Sequence, residues 1–515
     1  MNKIFKWIGI VILVPILLFV TLAILIYIPP VQNWIVKQVT SYASEKTGME
    51  ISVEHVSLAF PLDLSIEGFK AIKQNDSIPQ VKDTVANVRR LIADVRMLPL
   101  FRQQVEIDAL EFNGLQINTT DFIHEARIKG NVGLLSVQSH GIDIGKEKLR
   151  IDDAKLKDAN VTVELSDTVP PDTTKSENYW KIDVDKLSVE NTGVTVHMPG
   201  DTLQIWAYMG NISASGGFFD LYEGLYRIKR FDWNNGALKY DNNFETRTQG
   251  LDYNHISLTD INIGIDTLFY HAPKLTMALR SCSFKEKSGI EVRELSGPIA
   301  LDSSRINIPA LHLNTSESSL SANVSMDFNA FDDKNPGKIK VSADGSFGKQ
   351  DIMQFMGGMP AGFIRQWPNY PLTIKTAMNG NLKHLDIAGL NVNLPTAFKL
   401  TAKGFADNIT DTDNLKADID IDASTYNINF LTALAAGAMD DIRIPSGIGI
   451  KGNIKANGNN GYSASLMARE GAGLLKAKGS FNAKAMQYEA DMEASNLQIQ
   501  HFMPKSGMRD FTGNI

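Results

Sequence analysis

The residues able to do chemistry in this chain of 515 residues are dispersed rather than grouped. Its nine histidines stand singly, and none has the HExxH or other spacing that brings two imidazoles onto one metal ion. A lone strand histidine, such as His197 or His255, is more often a surface residue than a catalyst. Gly447, Gly449 and Gly452 satisfy GxGxxG, the pattern that lets a backbone approach a dinucleotide pyrophosphate. That chemistry needs a helix opening behind the glycines. The stretch Ile448-Gly449-Ile450-Lys451-Gly452-Asn453-Ile454 alternates as a strand instead. No GxSxG elbow and no Walker loop is present. Asp152-Asp153 and Asp440-Asp441 are adjacent pairs, so on a strand the two carboxylates point to opposite faces and cannot share a substrate. Cys282 has no base near it in sequence and reads as inert core. These readings point away from an enzyme and call for no cofactor and no metal.

Bulk composition narrows the class further. The net charge of −7 argues against a nucleic-acid partner. A single cysteine excludes an intrachain disulfide, so burial alone must hold the fold. The chain is too long for one compact core, which leaves several domains or an elongated repeat.

The elements that would position any site begin with an apolar run from Ile4 to Ile28, interrupted only by Lys6 and Thr21. At about 1.5 Å per residue the run is long enough to cross a bilayer. Lys3 and Lys6 precede it, which predicts a cytoplasmic N-terminus and export of the bulk. A cleaved signal peptide is the rival reading; the length of the run and the missing small-x-small site speak against it. Val31 to Thr47 then predicts an amphipathic helix, with Val31, Trp34, Ile35, Gln38, Val39, Tyr42 and Ala43 on one stripe and Gly48 ending it.

From Gly48 onward the period changes to two, with Gly, Asn and Asp as punctuation. A repeat lies within this alternation, anchored at Ile107, Ile151, Val184 and Ile228, at spacings of 44, 33 and 44 residues. Three and five residues on stand Leu110 and Phe112, Ala154 and Leu156, Leu187 and Val189, Phe231 and Trp233. Four turn-forming residues follow: Asn113 to Gln116, Lys157 to Asn160, Glu190 to Gly193, Asn234 to Ala237. At ten and twelve come Ile117 and Thr119, Val161 and Val163, Val194 and Val196, Leu238 and Tyr240. The pattern predicts four hairpins in which position five pairs with ten and three with twelve, each presenting apolar side chains on one side. A fifth copy with a longer loop pairs Leu313 with Leu320 and Leu311 with Ala322. The polar stretch Ser166 to Asn178 predicts a loop joining two strands.

A larger repeat fills the last third. Segments Asp351 to Trp367, Asn427 to Met439 and Gln498 to Met508 leave strand periodicity and predict helical or coiled inserts. Each is followed by Gly-Asn-aliphatic, at Gly380-Asn381-Leu382, Gly452-Asn453-Ile454 and Gly513-Asn514-Ile515. The third copy stops at Ile515, so the chain reads as the N-terminal part of something longer.

The stretch from Gly48 to Gly68, the helix before it and Val95-Arg96-Met97-Leu98-Pro99-Leu100 resemble the opening of AsmA/TamB-type envelope proteins. The resemblance extends loosely along the chain through the repeat, and the family's C-terminal domain has no counterpart here. It implies a mainly β fold: an N-terminal transmembrane helix, then an elongated, twisted antiparallel sheet curled into an open apolar groove with short helical inserts. It also implies a bridge-type lipid carrier in the periplasm of a Gram-negative bacterium. Such a carrier is anchored in the inner membrane, moves phospholipid between the inner and outer membranes and supports outer-membrane biogenesis.

The resulting expectation divides the chain into 1–30 (membrane anchor), 31–48 (amphipathic helix), 49–344 (hairpin repeat) and 345–515 (groove modules). Leu110, Phe112, Ile117, Leu156, Val161, Leu187, Val189, Val194, Val196, Phe231, Trp233, Leu238, Leu313 and Leu320 are the candidate groove lining. A sheet with one apolar face must cover it, and acyl chains would serve. The bland alternative is a sheet closed on itself around a dry core. A scaffold that helps outer-membrane proteins insert, together with a barrel partner of the BamA/TamA kind, is a rival from another class; it would use exposed sheet edges. A structural tether is a third.

Overall fold

A computed structural model of the chain describes residues 29–59, 63–74, 82–95, 107–119, 126–143, 147–166, 179–435 and 443–514. The apolar run Ile4–Ile28 lies outside them. Among the described residues no helix is long and apolar enough to cross a membrane. Helix α1 spans Pro29–Thr47, close to expectation. Gly48, at φ +66°, ends it while its N–H donates to the Ser44 carbonyl at 3.0 Å. Ser44 Oγ in turn accepts from the Ile51 N–H at 3.0 Å, which ties the helix to the first strand. Trp34, from the expected buried stripe, is exposed.

The remainder is mainly β and falls into two compact units. The first comprises Met1–Glu245, Asn254–Asn262 and Thr267–His271; the rest, to Ile515, forms the second. Strand β11 (His255–His271) is shared between them.

In the first unit the strands are β1 (Glu50–Ser52), β2 (His55–Ala59), β3 (Asp63–Gln74), β4 (Lys82–Val95) and β5 (Ile107–Asn118). They continue with β6 (Ala126–Asp143), β7 (Lys148–Leu165), β8 (Lys181–His197), β9 (Leu203–Asp220) and β10 (Leu225–Asn242). Short β1 and β2 both pair with β3, and the ladder runs antiparallel from β3 to β7. β8 then lies parallel to β7, and β8, β9 and β10 are antiparallel again. The loop after Leu165 therefore joins two parallel neighbours; its residues 167–178 are outside the described set. No ladder among the described residues closes the sheet, and each strand's substantial contacts are with its ladder neighbours. The sheet is open and has one layer.

The four expected hairpins are a correction. Ile107–Asn118 is one continuous strand, and so are Lys148–Leu165, Lys181–His197 and Leu225–Asn242. Phe112 faces Leu91 and Leu135 on neighbouring strands rather than Ile117 across a turn. Trp233 faces Ile212 rather than Leu238. The reason is conformational. Each supposed turn holds one residue in the left-handed region, at the same position of the repeat: Gly114 (φ +65°), Asp158 (+52°), Asn191 (+47°) and Asn235 (+54°). Reversing a two-residue hairpin of type I′ needs two such residues in succession. One alone shifts the side-chain phase by a residue and bends the strand, which then continues. The shift keeps positions three and five on the same face as eight, ten and twelve.

The second unit contains β12 (Lys274–Glu286), β13 (Glu291–Leu301), β14 (Arg305–Thr315), β15 (Ser319–Asp327), β16 (Ile339–Phe347), β17 (Leu372–Asn381) and β18 (His384–Leu394). It continues with β19 (Phe398–Asp407), β20 (Lys416–Thr425), β21 (Ile448–Gly458), β22 (Gly461–Glu470), β23 (Gly473–Asn482), β24 (Gln487–Gln498) and β25 (Asp510–Asn514). These form an unbroken antiparallel meander, open like the first sheet. Here the fifth hairpin copy forms as expected, with Leu313 opposite Leu320 and Leu311 opposite Ala322. The GxGxxG glycines fall in and beside β21, with no helix behind them.

The inserts also form where expected. Helices α2 (Lys349–Phe355) and α3 (Ala361–Gln366) follow β16, a 3-10 turn (Asn429–Ala435) follows β20, and α4 (Ile499–Phe502) follows β24. Residues 436–442, including Asp440-Asp441, lie outside the described set. The first two inserts share a core of Phe363, Trp367, Leu394, Ala397, Ile428 and Phe430. The ring of Phe430 stands 5.6 Å from Phe363 and 5.2 Å from Trp367, both edge-on. Buried Asp351 fastens α2 to the β14–β15 turn, accepting from Thr315 Oγ1 and Ser318 Oγ at 2.5 Å each.

Candidate functional site

The candidate lining residues of the first unit assemble, strand by strand, into rows. The middle row runs Leu91, Phe112, Leu135, Leu156, Val189, Ile212 and Trp233, each opposite the next from β4 to β10. Beside it lie Ala93, Leu110, Val137, Ala154, Leu187, Ala214 and Phe231. Beyond the bend, Ala86, Ile117, Gly130, Val161, Val194, Ala207 and Leu238 make a third row. A fourth passes through Ile128, Val163, Val196, Ile205 and Tyr240.

The parallel step accounts for the one short spacing of the repeat. Ile151 pairs with Val184, Leu156 with Val189 and Val161 with Val194. Equivalent residues thus sit directly side by side on β7 and β8, whereas a spacing of 44 spans two strands. Leu313 and Leu320 are in the second unit and pair with each other there. Structure therefore gathers twelve of the fourteen candidates, all but Leu313 and Leu320, onto one face of one sheet.

The most buried row was not among the candidates. Val88, Leu115, Val132, Ala159 and Thr192 lie side by side next to the bend and are all nearly sealed from solvent. Phe69, Leu91, Phe112, Ile117, Leu135 and Leu156 pack against them. Leu115, Ala159 and Thr192 occupy position eight of the repeat, inside the tetrads that the hairpin reading assigned to turns. The change of parity between positions five and ten was the signal for them. Val88, Val132, Leu135 and Ile212 come from intervening strands, whose only mark is ordinary alternation.

The bend is built by complementary residues. Gly133 and Gly210 face the left-handed Asp158 and Asn235; a Cβ on Gly210 would stand 2.4 Å from the Asn235 carbonyl oxygen. On the polar face, Asn191 Nδ2 donates to Asp158 Oδ1 at 2.6 Å and Tyr208 Oη donates to Asn191 Oδ1 at 3.1 Å. These bonds satisfy the side chains of neighbouring bends and hold them in line. Among the described residues no second layer lies over the opposite face, and the bend is what turns the apolar walls towards one another.

The polar face carries ion pairs both between strands and along a single strand. Lys157 meets Glu190 at 2.6 Å, and Lys155 meets Asp153 at 2.9 Å. Hydrogen bonding to Asp153 raises the Lys155 pKa. Asp152 instead contacts His140 and Arg150, so the adjacent acid pair is divided between partners. Asp220, nearly buried, is held below the usual carboxylate range by Lys181 at 2.9 Å and by the Glu223 N–H. Cys282 is buried, as expected, and that burial pushes its thiol pKa up. Among the described residues no group of three or more His, Cys, Asp or Glu side chains is placed to hold a metal ion.

No family model and no curated protein matches the chain.

Proposed function

We propose that the chain carries acyl lipids along the apolar face of its first sheet. The supporting observation is the set of continuous apolar rows from β4 to β10, upon which no second layer is laid among the described residues. Hydrocarbon chains are the natural cover for such a face, since apolar surface is stabilised by roughly 25 cal/mol per Å² removed from water. Polar head groups would remain in solvent, because the sheet is open. In the full form of this reading, Ile4–Ile28 anchors the chain in an inner membrane and the cargo is phospholipid moving between inner and outer membranes. The resemblance to AsmA/TamB-type proteins supports that form, as do the basic residues before the apolar run.

Lipid extraction and mass spectrometry of the purified full chain test the proposal, together with Trp233→Glu. Trp233 is partly exposed at the end of the middle row. A carboxylate there reaches water yet places a charge beside the acyl path, so the variant should stay folded and lose its lipid. Ser213→Lys, on the polar face of β9, should keep it. Absence of lipid from the wild type, or normal lipid in a folded Trp233→Glu protein, overturns the reading. Topology is tested separately by a reporter active only outside the cytoplasm, fused after Asn118, which should be active.

A further inference from the structure

Positions five and eight of the first unit's repeat stand on the same apolar face, on either side of the bend. The pairs are Phe112 with Leu115, Leu156 with Ala159, Val189 with Thr192 and Trp233 with Gly236. Only in the last is position eight without a side chain, and there position five is the largest of the four. The floor made by Leu115, Ala159 and Thr192 therefore has a hollow at β10, and the indole of Trp233 lies in it. The three heavy atoms nearest to a Cβ built on Gly236 all belong to that ring, Nε1 and Cε2 at 2.4 Å and Cζ2 at 2.7 Å. Rings shield glycines elsewhere in the chain, as Phe219 does Gly217 and Phe347 does Gly345.

Trp233 differs from those phenylalanines in carrying a donor. Its Nε1 is sealed from solvent and has no hydrogen-bond partner among the described residues, although the side chain as a whole is only half-buried. A buried indole N–H ordinarily finds an acceptor, and leaving it unmet costs the desolvation of the group. Nothing above the ring holds it in that position. The sheet is open, and rotation about the side chain's own torsions lifts the ring off Gly236 and returns the N–H to water. Resting, the indole gains apolar cover and forgoes a hydrogen bond; lifted, it does the reverse. Opposed terms of this kind make a two-state element that a ligand can bias.

We propose that Trp233 is a gate in the acyl path, resting on Gly236 when the trough is empty and lifted when hydrocarbon takes the hollow. The inference rests on carriage by the first sheet and adds a residue that controls it. An acyl chain laid along the floor through Ala159 and Thr192 meets the edge of the indole at β10 and passes over Gly236 only by displacing it. The exchange suits chain and ring alike. Methylene groups replace the ring as the apolar cover of Gly236, and the lifted N–H reaches water or a head-group oxygen on the open side. A fixed filler needs no donor, as Phe219 and Phe347 show.

The test labels the full chain with fluorotryptophan, holds it in an amphipathic polymer and strips it of lipid, which mass spectrometry verifies. Trp233 is one of six tryptophans, and its fluorine resonance is the one missing from Trp233→Leu. The probe is a short-chain phosphatidylcholine kept monomeric. Its addition should move the Trp233 resonance to a second position in step with the lipid bound. Gly236→Ala should show that second position with no lipid present. Gly236 lies outside the left-handed region, and the ring is what its methyl group would displace. With no ring to lift, the same variant should bind the probe about threefold tighter or more. Trp233→Leu, too short to fill the hollow, should bind at least as tightly as the wild type. Bound probe beside an unmoved Trp233 resonance overturns the gate alone, as does weaker binding by a folded Gly236→Ala or Trp233→Leu protein. A wild type that binds no probe overturns carriage, and the gate with it.

Discussion

The two units reach an apolar face by different routes. In the first, left-handed Gly, Asp and Asn residues bend long strands at one level, and large side chains beside the bend bury one another. In the second, the strands are shorter and the apolar rows are rich in small residues, as in Ala322, Ala343, Thr376, Leu390, Ala402, Ile421 and Gly452. Large apolar residues in that sheet remain open to solvent, Ile454 and Phe481 each at 41%. The second unit's aromatic core lies in the inserts at the ends of its strands. A one-layer sheet can thus bury apolar surface by bending its own walls or by adding elements at its rim. The bend produces a lined trough; the rim core leaves the sheet face uncovered.

Glycine substitutions should break both designs most strongly. Gly210→Ala in the first unit places Cβ 2.4 Å from the Asn235 carbonyl oxygen. Gly452→Ala in the second places it 2.0 Å from the Ser465 oxygen at a φ of +155°. Each should cost about 3 kcal/mol or more in denaturant unfolding, because backbone must move to admit the methyl group. Gly449→Ala, with nothing within 4 Å of the new Cβ, should change stability by less than about 1 kcal/mol. Truncation of side chains sharpens the contrast. Leu115→Ala should cost about 2–5 kcal/mol, as for a packed core leucine, while Ile454→Ala should cost about 1 kcal/mol or less. Equal losses at the two sites would erase the distinction between bent and open faces.

A smaller effect isolates the bend itself. Asn191→Ala removes the bond to Asp158 and puts a Cβ-bearing residue without a local polar side chain into the left-handed region. A loss of about 1–2 kcal/mol is expected, with Asn191→Gly recovering part of it. The least effect comes from pH, with opposite signs in the two units. Asp220 of the first unit has a lowered pKa because Lys181 and backbone N–H groups favour the carboxylate. Its contribution is complete above the unfolded carboxyl pKa and is lost as pH falls through the folded value. His384 of the second unit is raised by its hydrogen bond to Asp407, at 2.5 Å, with Asp386 adding to it. Its contribution is complete below the unfolded histidine pKa and fades as pH rises through the folded one. Proton-detected titration of His384 in wild type and Asp407→Asn checks the second sign, since the variant should titrate at lower pH.

Periodicity carried the apolar face because the sum of two parities is visible in any strand, bent or not. Leu110, Phe112 and Ile117 share a face in the structure, as the sequence pattern required. What it could not convey was whether Asn113-Gly114 reverses the chain or only bends it. That depends on the conformation of Asn113, which tertiary pairing with Arg90 settles. The loop in the fifth copy was long enough to reverse, and there the hairpin reading held. The parallel neighbours β7 and β8 were likewise hidden, since the spacing of 33 is compatible with several connections until partners are known. Breaks in alternation located the inserts, yet nothing in the sequence joined Phe363 to Phe430 across some sixty intervening residues.

The step of 33 residues between parallel strands has a consequence for growth. Each strand answers only to its ladder neighbours, so the sheet can be extended by whole units without recomposing the rest. A unit of two strands adds about 10 Å of ladder, and the parallel pairing of β7 with β8 shows that a single strand can be added as well. Reach is then a heritable count of copies, adjustable by duplication or deletion in steps of one strand. An α-helix of the same residues would span several times as far. Here most of the chain is invested in the height of the walls, and distance is gained slowly, in increments that leave the cross-section unchanged.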